Sequence, residues 1–377
     1  MKIDDKTSHN SPSIRFPEFT GEWKEERLSE IADIYKGAGI SKDQLSDNGE
    51  PCILYGELYT KYKTETITEV ISRTDIDNTK LVRSKANDVI IPCSGETAED
   101  IATARCVIKD GILLGGDLNI IRLHNYDGSF VSYQLNGKRK YDIAKVAQGV
   151  SVVHLYGEHL KGVKTVNPCL AEQKKISRFL SLLDERIAVQ NRLIDRLQSL
   201  MIGIAQKIAH SNKPNVRISD CLECSSSALQ ESEVNKTGKY PVYGANGIVG
   251  YIDKYHTQNE AIYIIKDGSG VGGVSYVTGK CSSTGTLNIL QAKNGHSLKY
   301  LYYLLKVFNF VPYKTGMAIP HIYFKDYGKA KIFCPAYPEQ LEYAKLLSSI
   351  DGNLRIALDS LKNFNLQKQY LLRHMLI

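Results

Sequence analysis

The sequence contains little tryptophan and no long hydrophobic run. One of its 377 residues is Trp, against 23 Tyr. No apolar stretch approaches the roughly 20 residues that cross a membrane, and the polar residues 1–13 have no apolar core of a secretory signal. These absences predict a cytoplasmic protein without a membrane span, whose residues 1–13 form a short flexible arm.

The eight cysteines are scattered along the chain. Only Cys221 and Cys224 have the CxxC spacing, and no second pair completes a zinc site. We therefore expect reduced, mostly buried thiols. The sequence predicts no metal site.

The sequence also holds no complete catalytic or nucleotide-binding motif. The segment Gly268–Gly273 has the GxGxxG spacing, but the residues after it form a predicted strand. A dinucleotide site needs a helix there, so we interpret the segment as a glycine hairpin. His154 and His321 have no acid or nucleophile at a fixed spacing. No catalytic residue is predicted.

The composition is that of a folded protein with several domains. Hydrophobic residues make up 42% of a length that suits two or three domains. The net charge of +7 favours an anionic partner modestly. The many tyrosines suit a binding surface, and they suit β-rich cores equally well.

The chain resembles itself. Residues 149–184 align without a gap with residues 316–351, at a shift of 167. The identical pairs include polar and turn residues as well as apolar ones: Gly149/Gly316, His154/His321, Tyr156/Tyr323, Lys164/Lys331, Pro168/Pro335, Glu172/Glu339, Gln173/Gln340 and Asp184/Asp351. Weaker matches lie upstream at changing shifts: Arg27–Glu30 with Arg217–Asp220, Tyr55–Gly56 with Tyr243–Gly244, and Gly116–Asn119 with Gly285–Asn288. This order indicates a duplication in which the N-terminal part of each half varies and the C-terminal part is constant.

The constant C-terminal part of each half is predicted to be a helix. Each copy begins after a proline, and Glu172 and Glu339 occupy the favourable first turn. Apolar residues then recur at alternating steps of four and three, which indicates a coiled coil. We call these positions the heptad seam: Ile176, Leu180, Leu183, Ile187, Ile194 and Leu197 in the first copy, with Leu347, Ile350, Leu354, Leu361 and Phe364 in the second. Two such seams in one chain predict that the helices pair with each other.

The variable N-terminal part of each half is predicted to be β-rich, with glycine and aspartate between strands. The predicted strands are Asp88–Pro92, Ile112–Leu114, Asn119–Leu123, Ala261–Lys266, Gly273–Thr278 and Thr286–Leu290. A short helix is expected in each half, at Ser129–Leu135 and Leu298–Val307.

These residues carry a family likeness. The opening Arg15–Phe19, followed by Trp23 and Leu28, resembles the start of type I restriction–modification specificity subunits. The runs Gly149–His154 and Pro168–Gln173 are similar to the end of that family's first recognition domain and the start of its spacer helix, and both recur in the second half. Val150 and Met317 depart from the small polar residues common there.

The resemblance implies an α/β fold with internal duplication, in which two target recognition domains are separated by two long antiparallel coiled-coil helices. Its implied boundaries are a first recognition domain over 14–168, a spacer helix over 169–210, a second recognition domain over 211–335 and a second spacer helix over 336–377. It implies a subunit that binds double-stranded DNA without catalysis. Two methyltransferase subunits and two restriction subunits would be its partners, and these would hold S-adenosylmethionine, ATP and magnesium.

Positive and polar loop residues are the expected DNA contacts. The candidates in the first half are Lys36, Lys42, Lys61, Lys63, Arg73 and Lys145, and those in the second half are Asn246, Lys254, Ser269, Tyr276 and Lys314. A helix over 169–210 spans about 63 Å at roughly 1.5 Å per residue, so we expect the helices to set the gap between two half-sites. Two alternatives remain open: the recognition region of a fused methyltransferase, and a coiled-coil adaptor that does not bind DNA.

Overall fold

The computed structural model describes residues 11–77, 79–149, 152–210 and 213–377. The chain divides into two compact units. The first unit consists of residues 1–190 and 360–377, and the second of residues 191–359. Each unit therefore combines one α/β domain with part of each of two long helices.

The first α/β domain is built from short strands and short helices. Its strands are β1 Lys24–Arg27, β2 Ala32–Lys36, β3 Leu45–Ser46, β4 Glu50–Ile53, β5 Thr66–Ile67, β6 Ser72–Thr74, β7 Val82–Arg83, β8 Asp88–Pro92, β9 Ser94–Gly95, β10 Arg105–Val107, β11 Leu113–Leu114, β12 Leu118–Leu123, β13 Val153–His154 and β14 Lys164–Asn167. Its helices are α1 Leu28–Ile31, α2 Glu57–Thr60, α3 Ala98–Ile101, α4 Gly128–Asn136, α5 Lys140–Val146 and α6 Gly157–Lys161.

Two five-stranded sheets organise this domain, in the orders β2-β12-β8-β10-β5 and β3-β6-β4-β11-β7. The central strand β8 is buried along its whole length, because both faces of the sheet are covered. One face packs against α4 and the base of the long helices, in a core that includes Trp23, Phe130 and Tyr133.

The second α/β domain repeats this plan with fewer strands. Its strands are β15 Val216–Arg217, β16 Leu222–Ser226, β17 Tyr240–Gly244, β18 Gly247–Ile252, β19 Glu260–Ile265, β20 Val274–Thr278, β21 Ser282–Ser283, β22 Leu287–Ala292 and β23 Lys331–Ile332. Its short helices are α8 Ile218–Cys221, α9 Leu298–Lys306 and α10 Phe324–Tyr327. The sheet orders are β16-β22-β19-β20 and β18-β17-β21, and β15 pairs with β23 as β1 pairs with β14.

The strands and helices predicted from the sequence occur within one or two residues of the expected bounds. The glycine-rich segment after β19 is a turn, and β19 and β20 pair antiparallel across it, with Ile264 opposite Val274. The interpretation as a hairpin rather than a dinucleotide loop therefore agrees with the structure.

Two long helices complete the chain. Helix α7 runs over Leu170–His210 and helix α11 over Tyr337–Met375. In the first unit, Asp184 contacts Lys368 and Arg186 contacts Phe364. Residues further along α7 thus meet residues earlier in α11, so the two helices run antiparallel there, as the sequence predicts.

The heptad seam is the inner face of these helices. All of its eleven residues are buried or half-buried. In the first unit Ile176, Leu180 and Leu183 share a core with Leu371 and Met375 of α11. Several apolar residues between the seam positions are exposed instead, among them Phe179, Leu182 and Val189.

A matched glutamine explains why the repeat retains its polar residues. The side-chain nitrogen of Gln173 donates to Pro168 O, and its side-chain oxygen accepts from the backbone of Asp127, the N-cap of α4. Gln340 donates to Pro335 O at 2.8 Å and accepts from the backbone of Ser297, the N-cap of α9, also at 2.8 Å. Each glutamine therefore joins the start of a long helix to the start of a helix of an α/β domain.

Residues at the end of the predicted N-terminal arm contact the last turn of α11. Residues 1–10 lie outside the described residues. The Ser13 hydroxyl lies 2.9 Å from His374 Nδ1, and Ile14 N donates to His374 O at 3.0 Å. Among the described residues, no helix has the length and apolar character that crossing a membrane requires.

Candidate nucleic-acid interface

A groove of about 1030 Å³ opens on the first α/β domain. Three segments enclose it: the end of β2 with the turn after it, the turn that leads into α2, and the loop before β12. We call it the lysine groove, and its lining residues are Lys36, Gly37, Gly39, Ile40, Ser41, Lys42, Gln44, Leu45, Leu54, Tyr55, Gly56, Glu57, Thr60, Lys61, Gly115, Gly116 and Asp117.

Close backbone packing forms the floor of the lysine groove. Strands β2 and β12 are antiparallel neighbours, with Lys36 opposite Asn119. Gly37 N donates to Leu118 O at 2.9 Å beyond the end of that pairing. A Cβ on Gly37 would lie only 2.0 Å from Gly115 O, so this approach requires glycine. The floor thus consists of backbone, and the side chains stand around its rim.

The lysines of the groove differ in how firmly they are held. Lys36 and Lys42 are exposed. Lys61 Nζ lies 2.6 Å from a Glu57 carboxylate oxygen and 2.9 Å from Ser72 Oγ. Glu57 is only 6% exposed, so this ion pair fixes the Lys61 amine at the rim. Two exposed cations and one ion-paired cation form a surface suited to phosphate groups.

The other candidates of the first half lie near the lysine groove or apart from it. Arg73 shares an adjoining recess with Lys61, and its guanidinium donates to Gly49 O at 2.7 Å. Lys63 is exposed and donates to Thr60 O at 2.8 Å. Lys145 lies on α5, with its amine 4.3 Å from the centre of the Tyr141 ring. The structure thus places three of the six candidates in one groove and a fourth beside it.

In the second α/β domain, the loops that match those lining the lysine groove also lie side by side. Gly285 N donates to Leu229 O at 2.8 Å, and Thr284 N donates to Tyr243 O at 2.9 Å. A recess of about 570 Å³ adjoins the first of these loops and contains no lysine or arginine. Its lining residues are Ser225, Ser226, Ser227, Ala228, Leu229, Glu233, His256, Ile289 and Gln291.

The candidates of the second half are distributed over three places. Exposed Asn246 lies in the turn between β17 and β18, and exposed Lys254 follows β18. The turn that carries Ser269 and the segment that follows Lys314 both hydrogen-bond to residues 320–321. The structure therefore joins Ser269 and Lys314 to one segment.

Tyr276 stands apart from the other candidates. It lies on β20, half-buried against Tyr302, and its hydroxyl donates to the Glu260 carboxylate. Burial and this carboxylate raise the pKa of Tyr276 above its ordinary value. Its hydroxyl is therefore already occupied by an acidic partner.

The uncharged residues of the lysine groove were not among the contacts predicted from the sequence. Ser41, Gln44 and Thr60 line it, and their hydroxyl and amide groups match the donors and acceptors on base edges. The repeated pairs Tyr55–Gly56 and Gly116–Asp117 also line it. The upstream repeat was therefore the available signal, because its weak matches mark the loops that meet at the groove.

The two repeated histidines occupy equivalent places. The backbones of His154 and Gln148 exchange two hydrogen bonds, as those of His321 and Thr315 do. The glycine between each pair has a positive φ, 126° at Gly149 and 86° at Gly316. Val150 and Ser151 lie outside the described residues. The repeat thus preserves a turn whose backbone favours glycine.

The described residues contain one group of side chains suited to hold a metal ion. It comprises Cys221, His296 and Cys334 of the second domain. This group lies on elements other than those that carry the candidate DNA contacts.

The architecture defines the class of the protein. Two similar α/β domains, one with a basic groove, are combined with two long helices that pair through an apolar seam. The family model of the type I restriction modification DNA specificity domain matches residues 20–199 and again residues 211–363. The chain belongs to this family.

Individual relatives are distant in sequence. A type I restriction enzyme specificity subunit of Haemophilus influenzae is 25% identical over 123 residues, which are 32% of this chain and 32% of that protein. The chain matches between 28% and 43% of the length of its curated relatives.

Solved structures share the fold over nearly the whole chain. The S subunit of the type I restriction–modification system of M. genitalium has a TM-score of 0.71 at 18% identity, covering 97% of this chain and 99% of that one. A chain from a structural study of type I complex assembly and conformational transition has a TM-score of 0.52 at 15% identity, covering 93% of this chain and 96% of that one. The fold predicted from the sequence, two recognition domains with long helices, is confirmed.

Proposed function

We propose that this chain is the sequence-specific DNA-binding specificity subunit of a type I restriction–modification system. It reads a bipartite, asymmetric site and directs partner subunits to it. One observation carries the proposal: the family domain occurs twice in the chain, and matched loops come together in both copies with different side chains around them. Two unlike readers on a common scaffold suit a site with two unlike halves.

The lysine groove supplies the electrostatic part of binding. Lys36 and Lys42 would neutralise phosphates, and the released counterions would make the affinity depend on salt. The hydroxyl and amide groups of Ser41, Gln44 and Thr60 would face base edges, since phosphate contacts alone carry no sequence information. The second domain, whose recess beside a matched loop is lined by no lysine or arginine, would read its half-site mainly through polar groups.

The chemistry would reside in the partners. The chain would be non-catalytic, with S-adenosylmethionine, ATP and magnesium bound by two methyltransferase subunits and two restriction subunits. Apolar side chains on the outer faces of the long helices support protein partners: Leu182 and Val189 are 41% and 54% exposed in the first unit, and Leu200 and Ile356 are 51% and 66% exposed in the second. One such set in each unit matches two copies of one partner.

The two alternatives receive less support. A fused methyltransferase needs a catalytic motif that this sequence does not carry. A coiled-coil adaptor needs no pair of recognition domains whose loops differ while their supports agree. The family membership favours the specificity subunit over both.

The direct test is selection of DNA by the full chain bound to its partner methyltransferase. The complex is incubated with duplexes of random sequence, and the bound fraction is sequenced. We expect enrichment of one two-part motif with a fixed unread gap. The methyltransferase alone, as control, should enrich nothing. Binding without any sequence preference would overturn the proposal.

A further inference from the structure

Three metal-ligating side chains meet near the base of the second α/β domain. Cys221 ends α8, His296 precedes α9 and Cys334 follows β23. One ligand atom from each lies within 4.8 Å of the other two. Both cysteines are buried and His296 is half-buried. Atoms at this spacing surround a position that one metal ion would fill.

The fold fixes the backbone of each of these residues. Lys293 N donates to Cys221 O at 2.9 Å, and His296 N donates to Lys293 O at 3.2 Å. The Asn215 side chain donates to Cys334 O and accepts from Cys334 N, both at 2.8 Å. Hydrogen bonds to neighbouring segments of the domain therefore hold the backbone at all three positions of the cluster.

The cluster also has an unsatisfied group. Within the described part of the chain, His296 Nδ1 is buried and has no hydrogen-bond partner. A buried ring nitrogen without a partner is costly, and a metal ion or an ordered water would relieve it. The Cys221 and Cys334 sulfurs face the same position as this nitrogen, within 4.8 Å of each other.

We propose that Cys221, His296 and Cys334 bind one Zn²⁺ ion. Two thiolates and a neutral imidazole form a soft donor set that zinc prefers. Water would complete the tetrahedron. Binding would release the thiol protons, and the ion would tie the first helix of the second domain to its last strand.

The duplication shows that this cluster is no general requirement of the fold. The repeat aligns Cys221 with Ile31 and Cys334 with Asn167, and Tyr126 precedes the N-cap of α4 as His296 precedes the N-cap of α9. In the first domain the Tyr126 hydroxyl and the Asn167 amide both donate to the Glu26 carboxylate. A hydrogen-bond network thus occupies the place that the second domain gives to two sulfurs and an imidazole.

The test measures zinc in the full chain, purified with its methyltransferase partner and without chelator. We expect about one zinc ion per specificity chain beyond that of the partner alone. Cys334→Ser and His296→Ala should lower this to below about one tenth of an ion. Cys224→Ser is the matched control, because Cys224 has the CxxC spacing but lies outside the cluster, and it should retain the full content.

A second measurement, on the wild-type complex, tests the proposal even if the variants do not fold. The wild-type complex, stripped and reloaded with Co²⁺, should gain a thiolate-to-cobalt charge-transfer band that His296→Ala weakens and added Zn²⁺ removes. Wild-type protein without zinc and without that band would overturn the proposal. A quantitative Cys221–Cys334 disulfide in freshly purified protein would overturn it too, as would full zinc content in the double variant Cys221→Ser/Cys334→Ser.

Discussion

The amine of Lys368 on α11 lies 2.7 Å from the carboxylate of Asp184 on α7. It also lies 2.8 Å from Glu65 of the first recognition domain, and both acids are less than 10% exposed. The Tyr133 hydroxyl donates to Asp184 at 2.5 Å. Lys368 lies four residues after Phe364, at the next heptad position, where an apolar residue is usual. Its ion pairs connect both long helices to the recognition domain and so favour one alignment of the helices.

Replacing this lysine should destabilise the first unit strongly. Lys368→Met keeps the bulk of the side chain but removes the amine that pairs with both buried carboxylates, at a cost of about 3–5 kcal/mol. Chemical denaturation monitored by circular dichroism measures this loss. The triple variant Lys368→Met/Asp184→Asn/Glu65→Gln should recover part of the loss, because both carboxylates are then neutral while the buried Arg105 keeps its charge. Equal stability of wild type and Lys368→Met would show that the ion cluster does not hold the register.

The same cluster predicts a pH dependence. Burial favours the neutral amine of Lys368, but the carboxylates of Glu65 and Asp184 outweigh burial and raise its pKa. Because the pKa is raised in the folded state, the contribution is complete below the unfolded value of about 10.4 and is lost as pH rises through the folded value. The stability difference between wild type and Lys368→Met should therefore stay constant from neutral pH to about 9 and shrink only in stronger alkali. A difference that shrinks below pH 9 would contradict the assignment.

The heptad seam should be structural. Leu183 is 7% exposed in the core of the first unit, while its neighbour Leu182 is 41% exposed. Leu183→Asp buries a charge and should cost several kcal/mol, with loss of soluble complex. Leu182→Asp is the matched control for stability alone, because Leu182 belongs to the proposed partner-binding face, and it should change the free energy of unfolding of the chain by less than about 0.5 kcal/mol. A Leu183→Asp chain that stayed soluble and selected a new DNA site would contradict this role.

The lysine groove should contribute to affinity through phosphates. Replacing Lys36, Lys42 and Lys61 with Ala should weaken DNA binding and reduce the slope of log K against log salt by about two to three. Fluorescence anisotropy of the complex at several salt concentrations measures both. Lys109→Ala serves as control, since Lys109 is exposed, lies outside the groove and is not among the candidate contacts. An unchanged affinity and slope in the triple variant would show that DNA binds elsewhere.

The central helix should set the gap between half-sites. Helix α7 is continuous over 41 residues, or about 62 Å at roughly 1.5 Å per residue. Four residues inserted after Arg192 keep the three-four rhythm approximately and add about 6 Å, nearly two base pairs of rise. The bases read in each half should stay the same, and the gap should grow by about one or two pairs, with some loss of affinity. A selection experiment that returned the original gap at full affinity would contradict the prediction.

The sequence predicted those parts of the fold that depend on local periodicity and on the repeat. The heptads predicted both long helices. Glycine-bounded β-branched runs predicted β8, β12, β19 and β22, which are inner strands of the large sheet of each domain. Shared residues such as Gln173 and Gln340 indicated a common scaffold before their hydrogen bonds were known. Periodicity and repetition can both be read from the order of the residues, without knowledge of which distant segments meet.

Features made by distant segments were not predictable in this way. Three of the six basic candidates of the first half meet in one groove, because β2 and β12 are neighbours in the sheet and not in the chain. The cluster of Cys221, His296 and Cys334 draws its residues from a stretch of more than 100 positions, whereas the spacing along the chain points only to the close pair Cys221–Cys224 and predicts no metal. Spacing along the chain does not report such sites.

Sequencing of methylated bases in a host that carries this chain and its methyltransferase tests the central claim most directly. Residues 211–335 are exchanged for the corresponding segment of another family member, and the methylated motif is compared with that of the parent chain. We predict that one half of a two-part motif changes while the other half is retained, and that methylation of either motif disappears when the chain is deleted. An unchanged motif after the exchange, or methylation that persists without the chain, would contradict the claim that its two domains read the DNA.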